Sequence, residues 1–123
     1  MTISMYQASV PRITNMLNNL GAILDKAQAH VDAKKLDSAA LTNARLFPDM
    51  LAMNRQVHIA TDTAKGVVAR LAGVEIPAYE DNEVSFADLK ARVDKTVAFV
   101  QSFSPEQIDG TEDKAIVTKR GDK

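Results

Sequence analysis

The sequence predicts an all-α fold, and three observations carry that prediction. Three stretches place apolar residues at alternating steps of three and four, the spacing of one buried helix face. Two of the long helices have well-marked termini. The apolar residues are chiefly Leu, Ile, Val, Ala and Met, with two Tyr, four Phe and no Trp in 123 residues, a mixture that favours helices over a sandwich or barrel.

In the first stretch, Val10, Ile13, Leu17, Leu20, Leu24, Ala27 and Val31 share a face that Met16 and Ile23 widen. Ser4 with Gln7 makes a capping box, while Ser9 before Pro11 allows a later start. The spacing predicts a helix over 4–35, bent near Pro11. Asp37 is an N-cap for a turn or two before Phe47-Pro48 resets the backbone.

A second long helix is predicted over 48–72, with Pro48 at its first position, Asp49 in its first turn and Gly73 as its C-cap. Its apolar face is Met50, Met53, Val57, Ala60, Ala64, Val68 and Leu71. Asn54, Arg55, His58, Asp62 and Lys65 lie on the shoulder of that face, and Ile59, Thr63 and Gly66 lie opposite it. Ser85 and Asp88 cap a third helix over 85–103, whose stripe is Phe86, Leu89, Val93, Val97, Val100 and Phe103. A further turn follows Ser104-Pro105. After Asp109-Gly110, Lys114–Thr118 has the character of a short strand, and Lys119–Lys123 is a polar end.

The linker from Val74 to Val84 fixes an expectation about topology. Extended, it spans about 36 Å, close to the roughly 37 Å of the helix before it. The second and third helices can therefore lie parallel, with Pro77 stiffening the crossover.

Composition also excludes classes of function. With 15 basic against 16 acidic residues, a net charge of −1 and no basic run, neither nucleic acid nor an anionic membrane is the expected partner. No apolar run approaches the ~20 residues of a membrane span, and Met1–Val10 lacks the basic flank and apolar core of a signal peptide, so the expected location is cytoplasmic. The chain has no cysteine, which removes disulfides, thiolate nucleophiles and zinc–thiolate sites together. It carries no nucleophile motif and no Gly-rich phosphate loop, and Arg120-Gly121-Asp122 reads as part of a polar tail.

Met1-Thr-Ile-Ser-Met-Tyr-Gln-Ala-Ser-Val-Pro11, Leu46-Phe-Pro-Asp-Met50, Arg55-Gln-Val-His-Ile-Ala-Thr-Asp-Thr-Ala-Lys-Gly66, Arg70-Leu-Ala-Gly73 and Pro77-Ala-Tyr-Glu-Asp81 together resemble a bacterial domain-of-unknown-function family. That family lies within the DinB-like putative metalloenzyme superfamily. The resemblance implies an up-down-down-up helical bundle, a tendency to homodimers, and relatives that are metal-dependent thiol transferases or hydrolases. In those relatives a divalent metal is held by one histidine on the second helix and a His-x-x-x-His pair on the fourth. Against that pattern the chain reads as a single domain over 1–123, truncated at its C-terminus: three long helices, the short strand, and no fourth helix.

His58 is the only histidine placed like a superfamily ligand, with Asp62 one turn on as its intrahelical partner. Zinc in a catalytic site takes three protein ligands, so no metal is expected in this chain; zinc or nickel at His58 is the alternative. Asn54, Arg55, His58, Asp62 and Lys65 are the candidates for a cleft that holds a small molecule. The expected function is a non-catalytic dimeric or small-molecule-binding module, and the alternative is a metal-dependent transferase or hydrolase. A homodimer is expected because the absent fourth helix leaves the stripes of the first and third helices uncovered, with Ile59, Thr63 and Gly66 as a second candidate interface.

Overall fold

A computed structural model describes residues 2–118. Five helices follow one another: α1 (Met5–Lys34), α2 (Ser38–Thr42), α3 (Met53–Ala72), α4 (Phe86–Gln101) and α5 (Pro105–Ile108). The fold is all-α, and no strand occurs among the described residues.

The local signals place most of the ends. Ser4 and Gln7 form both bonds of the capping box at the start of α1. The helix runs through Pro11, where the missing N–H costs one bond, to the carbonyl of Gln7. Asp37 caps α2 by accepting from the Ala39 N–H at 3.1 Å, and Ser85 caps α4 by accepting from the Asp88 N–H at 3.1 Å. Gly73 closes α3 in the left-handed region, φ 74°, where a side chain would be strained.

Two expectations are corrected. Helix α3 begins at Met53, not at Pro48. Pro48 and Asp49 instead occupy the centre of a turn closed by the Met50 N–H on the Phe47 carbonyl, and the Met53 N–H is taken by the Ala44 carbonyl at 2.9 Å. Proline suits the second position of a β-turn as well as it suits the first turn of a helix, and here the turn won. The segment 114–118 is not a strand. It has no partner strand among the described residues, and it is held instead by the Lys114 ammonium donating to the Leu71 carbonyl at 3.1 Å. The polar end, 119–123, lies outside the described residues.

Long-range contacts set the directions. Helix α1 runs antiparallel to α4: the Tyr6 N–H donates to Asp109, just past α5, while Asp25 meets Lys90 near the start of α4. It also runs antiparallel to α3, with Ala8 beside Leu71 and Leu20 beside Ala60. Helices α3 and α4 are therefore parallel, and the crossover 74–84 runs back along them. Their starts are tied together, since Thr42 donates to the Val84 carbonyl and Ala44 accepts from Met53.

The core lies where α1, α3 and α4 meet, around Leu17, Leu24, Val57, Val68, Phe86, Leu89, Val93 and Val100. Ile108 of α5 and Phe103 close one end, Phe103 lying edge-on to Phe99 with ring centres 5.2 Å apart. The α4 stripe, expected to be left open, is covered. The uncovered face belongs to α1 and α3. There Ile13, Met16, Leu20 and Ile23 face Ala60, Thr63, Ala64 and Val67 across a groove of about 650 Å3. Met16 is 65% exposed and Ile23 54%. Ile116 and Thr118 lie beside Val67 and Leu71, further along the same pair of helices.

A buried arginine and the crossover that closes over it

Arginine 92 sits within the apolar stripe of α4, between Leu89, Val93 and Thr96, all buried. Its side chain is 2% exposed. A guanidinium taken this far from water needs partners for its whole fork of N–H donors. Nε donates to the Thr61 hydroxyl at 2.7 Å, and that hydroxyl is held by donating back to the α3 backbone at 3.0 Å. Nη2 donates to Asp62 at 2.8 Å. Nη1 reaches the crossover, donating to Asp81 at 3.0 Å, Glu83 at 2.9 Å and the Glu80 carbonyl at 3.2 Å. One side chain thus fastens α4 to α3 and to the linker that passes over both.

These contacts shift the ionisations. Burial by itself would raise the Glu83 carboxyl, but the hydrogen bond from Arg92, a backbone N–H and the nearby charges of Arg92 and His58 outweigh burial and hold it below its ordinary value. Burial would lower Arg92, and the bond and charge of Glu83, with Asp62 and Asp81, raise it instead. Both groups stay ionised across the physiological range.

His58, placed on the shoulder of α3 by the helical wheel, is buried. Its expected pairing with Asp62 does not form. Asp62 is taken by Arg92 at 2.8 Å and Lys65 at 3.1 Å, and the imidazole faces the crossover instead. His58 Nε2 lies 3.1 Å from Glu83 Oε2 and Nδ1 lies 3.9 Å from Asp81. The closer approach is off the N–H axis, so neither ring nitrogen nor Glu83 Oε2 makes a hydrogen bond.

Lys65 is buried too, with its ammonium 3.6 Å from the centre of the Tyr79 ring. Lys95 and Arg92 approach the same ring at 4.1 and 5.1 Å, so three cations gather at one aromatic ring. Beside this cluster Tyr79, Glu80, Glu83, Asp88, Arg92 and Lys95 line a hollow of about 370 Å3.

Of the five cleft candidates, the fold brings together four. His58, Asp62 and Lys65 are in the network, and Arg55 joins its rim, 3.7 Å from Asp81. Asn54 stands apart, its side chain accepting from the Arg55 N–H in the first turn of α3. Sequence reasoning missed Thr61, Tyr79, Asp81, Glu83 and Arg92. A signal existed: an arginine inside an apolar stripe demands counterions, and the linker just before it reads Glu80-Asp81-Asn82-Glu83. Of the candidate dimer residues, Ile59 is 45% exposed and Thr63 lines the apolar groove. Gly66 is buried, and an added Cβ there would meet the Arg70 guanidinium at 2.7 Å.

The family model for a domain of unknown function, DUF1993, matches residues 5–123. The chain belongs to the DUF1993 family. A crystal structure of a DinB family member protein from Shewanella denitrificans superposes with a TM-score of 0.78 at 40% identity, covering 84% of this chain and 59% of that one. This DUF1993 chain therefore spans a little under three-fifths of that neighbour's length. No curated protein matches it.

The DinB likeness raises the question of a divalent metal at His58, and the surrounding residues answer it. The carboxylates that would complete such a site, Asp81 and Glu83, are occupied by Arg92 at 3.0 and 2.9 Å. Among the described residues no three His, Asp or Glu side chains are grouped as a metal ion requires. The residues present do not fit the ion.

Proposed function

We propose that this DUF1993 chain is a non-catalytic, homodimeric helical module of the cytoplasm, and that its dimer forms through the α1–α3 groove. The open groove is the observation that carries this reading. It offers protruding Met16 and Ile23 beside the small residues Ala60, Thr63 and Ala64, so one face carries both knob and hole, as a two-fold interface requires. From Met5 to Ile23 the face runs about 27 Å, and two helices make it about 20 Å wide, the scale of a standard interface. Burying ~800 Å2 per partner at ~25 cal/mol per Å2 supplies tens of kcal/mol as an upper bound, against ~4–15 kcal/mol for lost rigid-body freedom. The margin survives if half of that area is polar.

The location rests on composition and on the absence, among the described residues, of a helix long and apolar enough to cross a membrane. A non-catalytic role is favoured because the three carboxylates of the cleft are each paired with Arg92, Asp62 with Lys65 as well. A second reading, a small-molecule site, is favoured by the unbonded His58 ring and the hollow beside Tyr79. Metal-dependent transfer or hydrolysis draws no support from a site whose carboxylates are held by a guanidinium.

The test uses the missing cysteine. A single Ile23→Cys or Ala60→Cys can form a disulfide only across two copies. Light scattering at micromolar concentration is expected to give a dimer, Met16→Glu with Ile23→Glu a monomer, and mild oxidation a cross-linked dimer from the groove cysteines. A strictly monomeric wild type that binds no hydrophobic dye overturns the reading.

A further inference from the structure

We propose that the α1–α3 groove is a binding site for a fatty acid, with the aliphatic tail laid between the two helices and the carboxylate held by Arg12 and Arg70 at one end. Three observations converge on it. The groove offers about 650 Å3 between side chains that are nearly all apolar, and no acid lines it. That is the volume and lining of a small-molecule site, which buries an apolar body and fixes it with few polar groups.

The charge of the groove is confined to one end. Ala8 lies beside Leu71 and Leu20 beside Ala60, a register that sets Arg12 opposite Val67 and brings Arg70 to the same end. Arg12 lines the groove itself, and Arg70 lines its continuation toward Met5, Ser9 and Leu71. The ion pairs of the described residues lie elsewhere, at Arg55, His58, Lys65, Lys90 and Arg92, so neither guanidinium is matched by an acid. Gly66 gives Arg70 its seat. The guanidinium folds back along α3 onto this glycine, so close that an added Cβ would lie 2.7 Å from Nη1.

An apolar groove with unmatched cations at one end suits an amphiphile with a single anionic head. A carboxylate accepts paired N–H bonds from a guanidinium, which presents them in a fixed fork. From Arg12 to Ile23 the groove runs about 17 Å along α1. With bonds of about 1.5 Å in a zigzag, an extended chain advances about 1.25 Å per carbon, so roughly 13 carbons span that length. The tail would cover Met16 and Ile23, which are also the side chains that a second copy would cover. Bound fatty acid therefore favours the monomer. Only this competition rests on the dimer reading; the binding does not.

The experiment titrates sodium dodecanoate, below its micelle threshold, into the full chain at neutral pH, with calorimetry as the readout and decanoate in parallel. Wild type is expected to bind one dodecanoate per chain saturably and to melt at a higher temperature with it. Decanoate should bind roughly tenfold more weakly, since each buried CH2 is worth about fourfold. Arg12→Gln/Arg70→Gln, two changes outside the core, should keep the helical spectrum and lose at least tenfold of the affinity for dodecanoate. Ala60→Trp, at an exposed position in the groove, should abolish binding. If Ala60→Trp does not fold, the arginine variant and the chain-length series decide. Folded wild type that takes up no dodecanoate overturns the proposal, as does binding that is unchanged in the variants or indifferent to chain length. Light scattering of the same samples separates the two readings. A wild type that is monomeric throughout yet binds dodecanoate through its arginines sinks the dimer and supports this site, whereas a dimer that neither takes up dodecanoate nor dissociates sinks this site alone.

Discussion

The two faces of α3 solve opposite problems. On one, charged side chains are buried and the chain closes over them with its own crossover, matching the buried guanidinium to Asp62, Asp81 and Glu83. On the other, Ala60, Thr63 and Val67 line an apolar groove that the described residues leave open. The difference teaches where the protein is complete. The polar face is finished within one chain, at the cost of sensitivity to any single loss. The apolar face stays open to solvent within one chain, and the dimer proposed above would be the place where its burial counts.

The sharpest break of this contrast is Arg92→Ala. Stripping the partner from Glu83, whose side chain is 10% exposed, and from Asp62 and Asp81 at the surface is expected to destabilise by about 3 kcal/mol, the low end for breaking a buried pair, read as a lowered urea midpoint at neutral pH. On the other face Met16→Ala, at a side chain 65% exposed, is expected to change monomer stability by less than about 1 kcal/mol while weakening the proposed dimer. A loss at Met16 that matches the loss at Arg92 would erase the distinction.

Acid offers a second lever. The native Glu83 carboxyl is held below its unfolded value, so its contribution is fully present above roughly pH 4.3 and disappears as pH falls through the lower native value. Glu83→Gln is expected to remove stability at pH 7 and to flatten that acid limb, measured as melting temperature against pH. An acid limb unchanged in the variant would move the effect to other carboxylates. The smallest effect expected is at the start of α4. Ser85→Ala deletes the hydroxyl that caps Asp88 and should cost about 1 kcal/mol, with the crossover's contact to Arg92 intact.

The helices were legible because their causes are local. The stripe from Val10 to Val31 and the Ser4–Gln7 box specify α1 with no reference to the rest of the chain. Pro48 misled because it satisfies a turn and a helix start equally, and the choice was made by a distant bond, Met53 to Ala44. The Ile116-Val117-Thr118 run has β-branched residues but no strand to pair with among the described residues, so propensity had nothing to act on. The site was half legible. Helical spacing grouped His58, Asp62 and Lys65, whereas Asp81, Glu83 and Arg92 come from two other segments and meet only after the crossover has folded back. His58 and Lys65 looked like shoulder residues because a wheel drawn for one helix cannot register a strap laid across it.

The pairing of α1 with α4 also governs how the chain reaches this state. Asp25 meets Lys90 across 65 positions and Tyr6 meets Asp109 across 103. Helical proteins usually fold fast because their contacts are local, and these are not. At ribosomal rates of roughly 5–20 residues per second, α1 is made several seconds before α4 emerges to cover it. During that interval Leu17, Leu24 and Val31 have at most α2 and α3 to pack against, and the cover that α4 supplies is missing. The α1 face is therefore completed only once α4 and the turn at Asp109 have been synthesised, well after α1 itself.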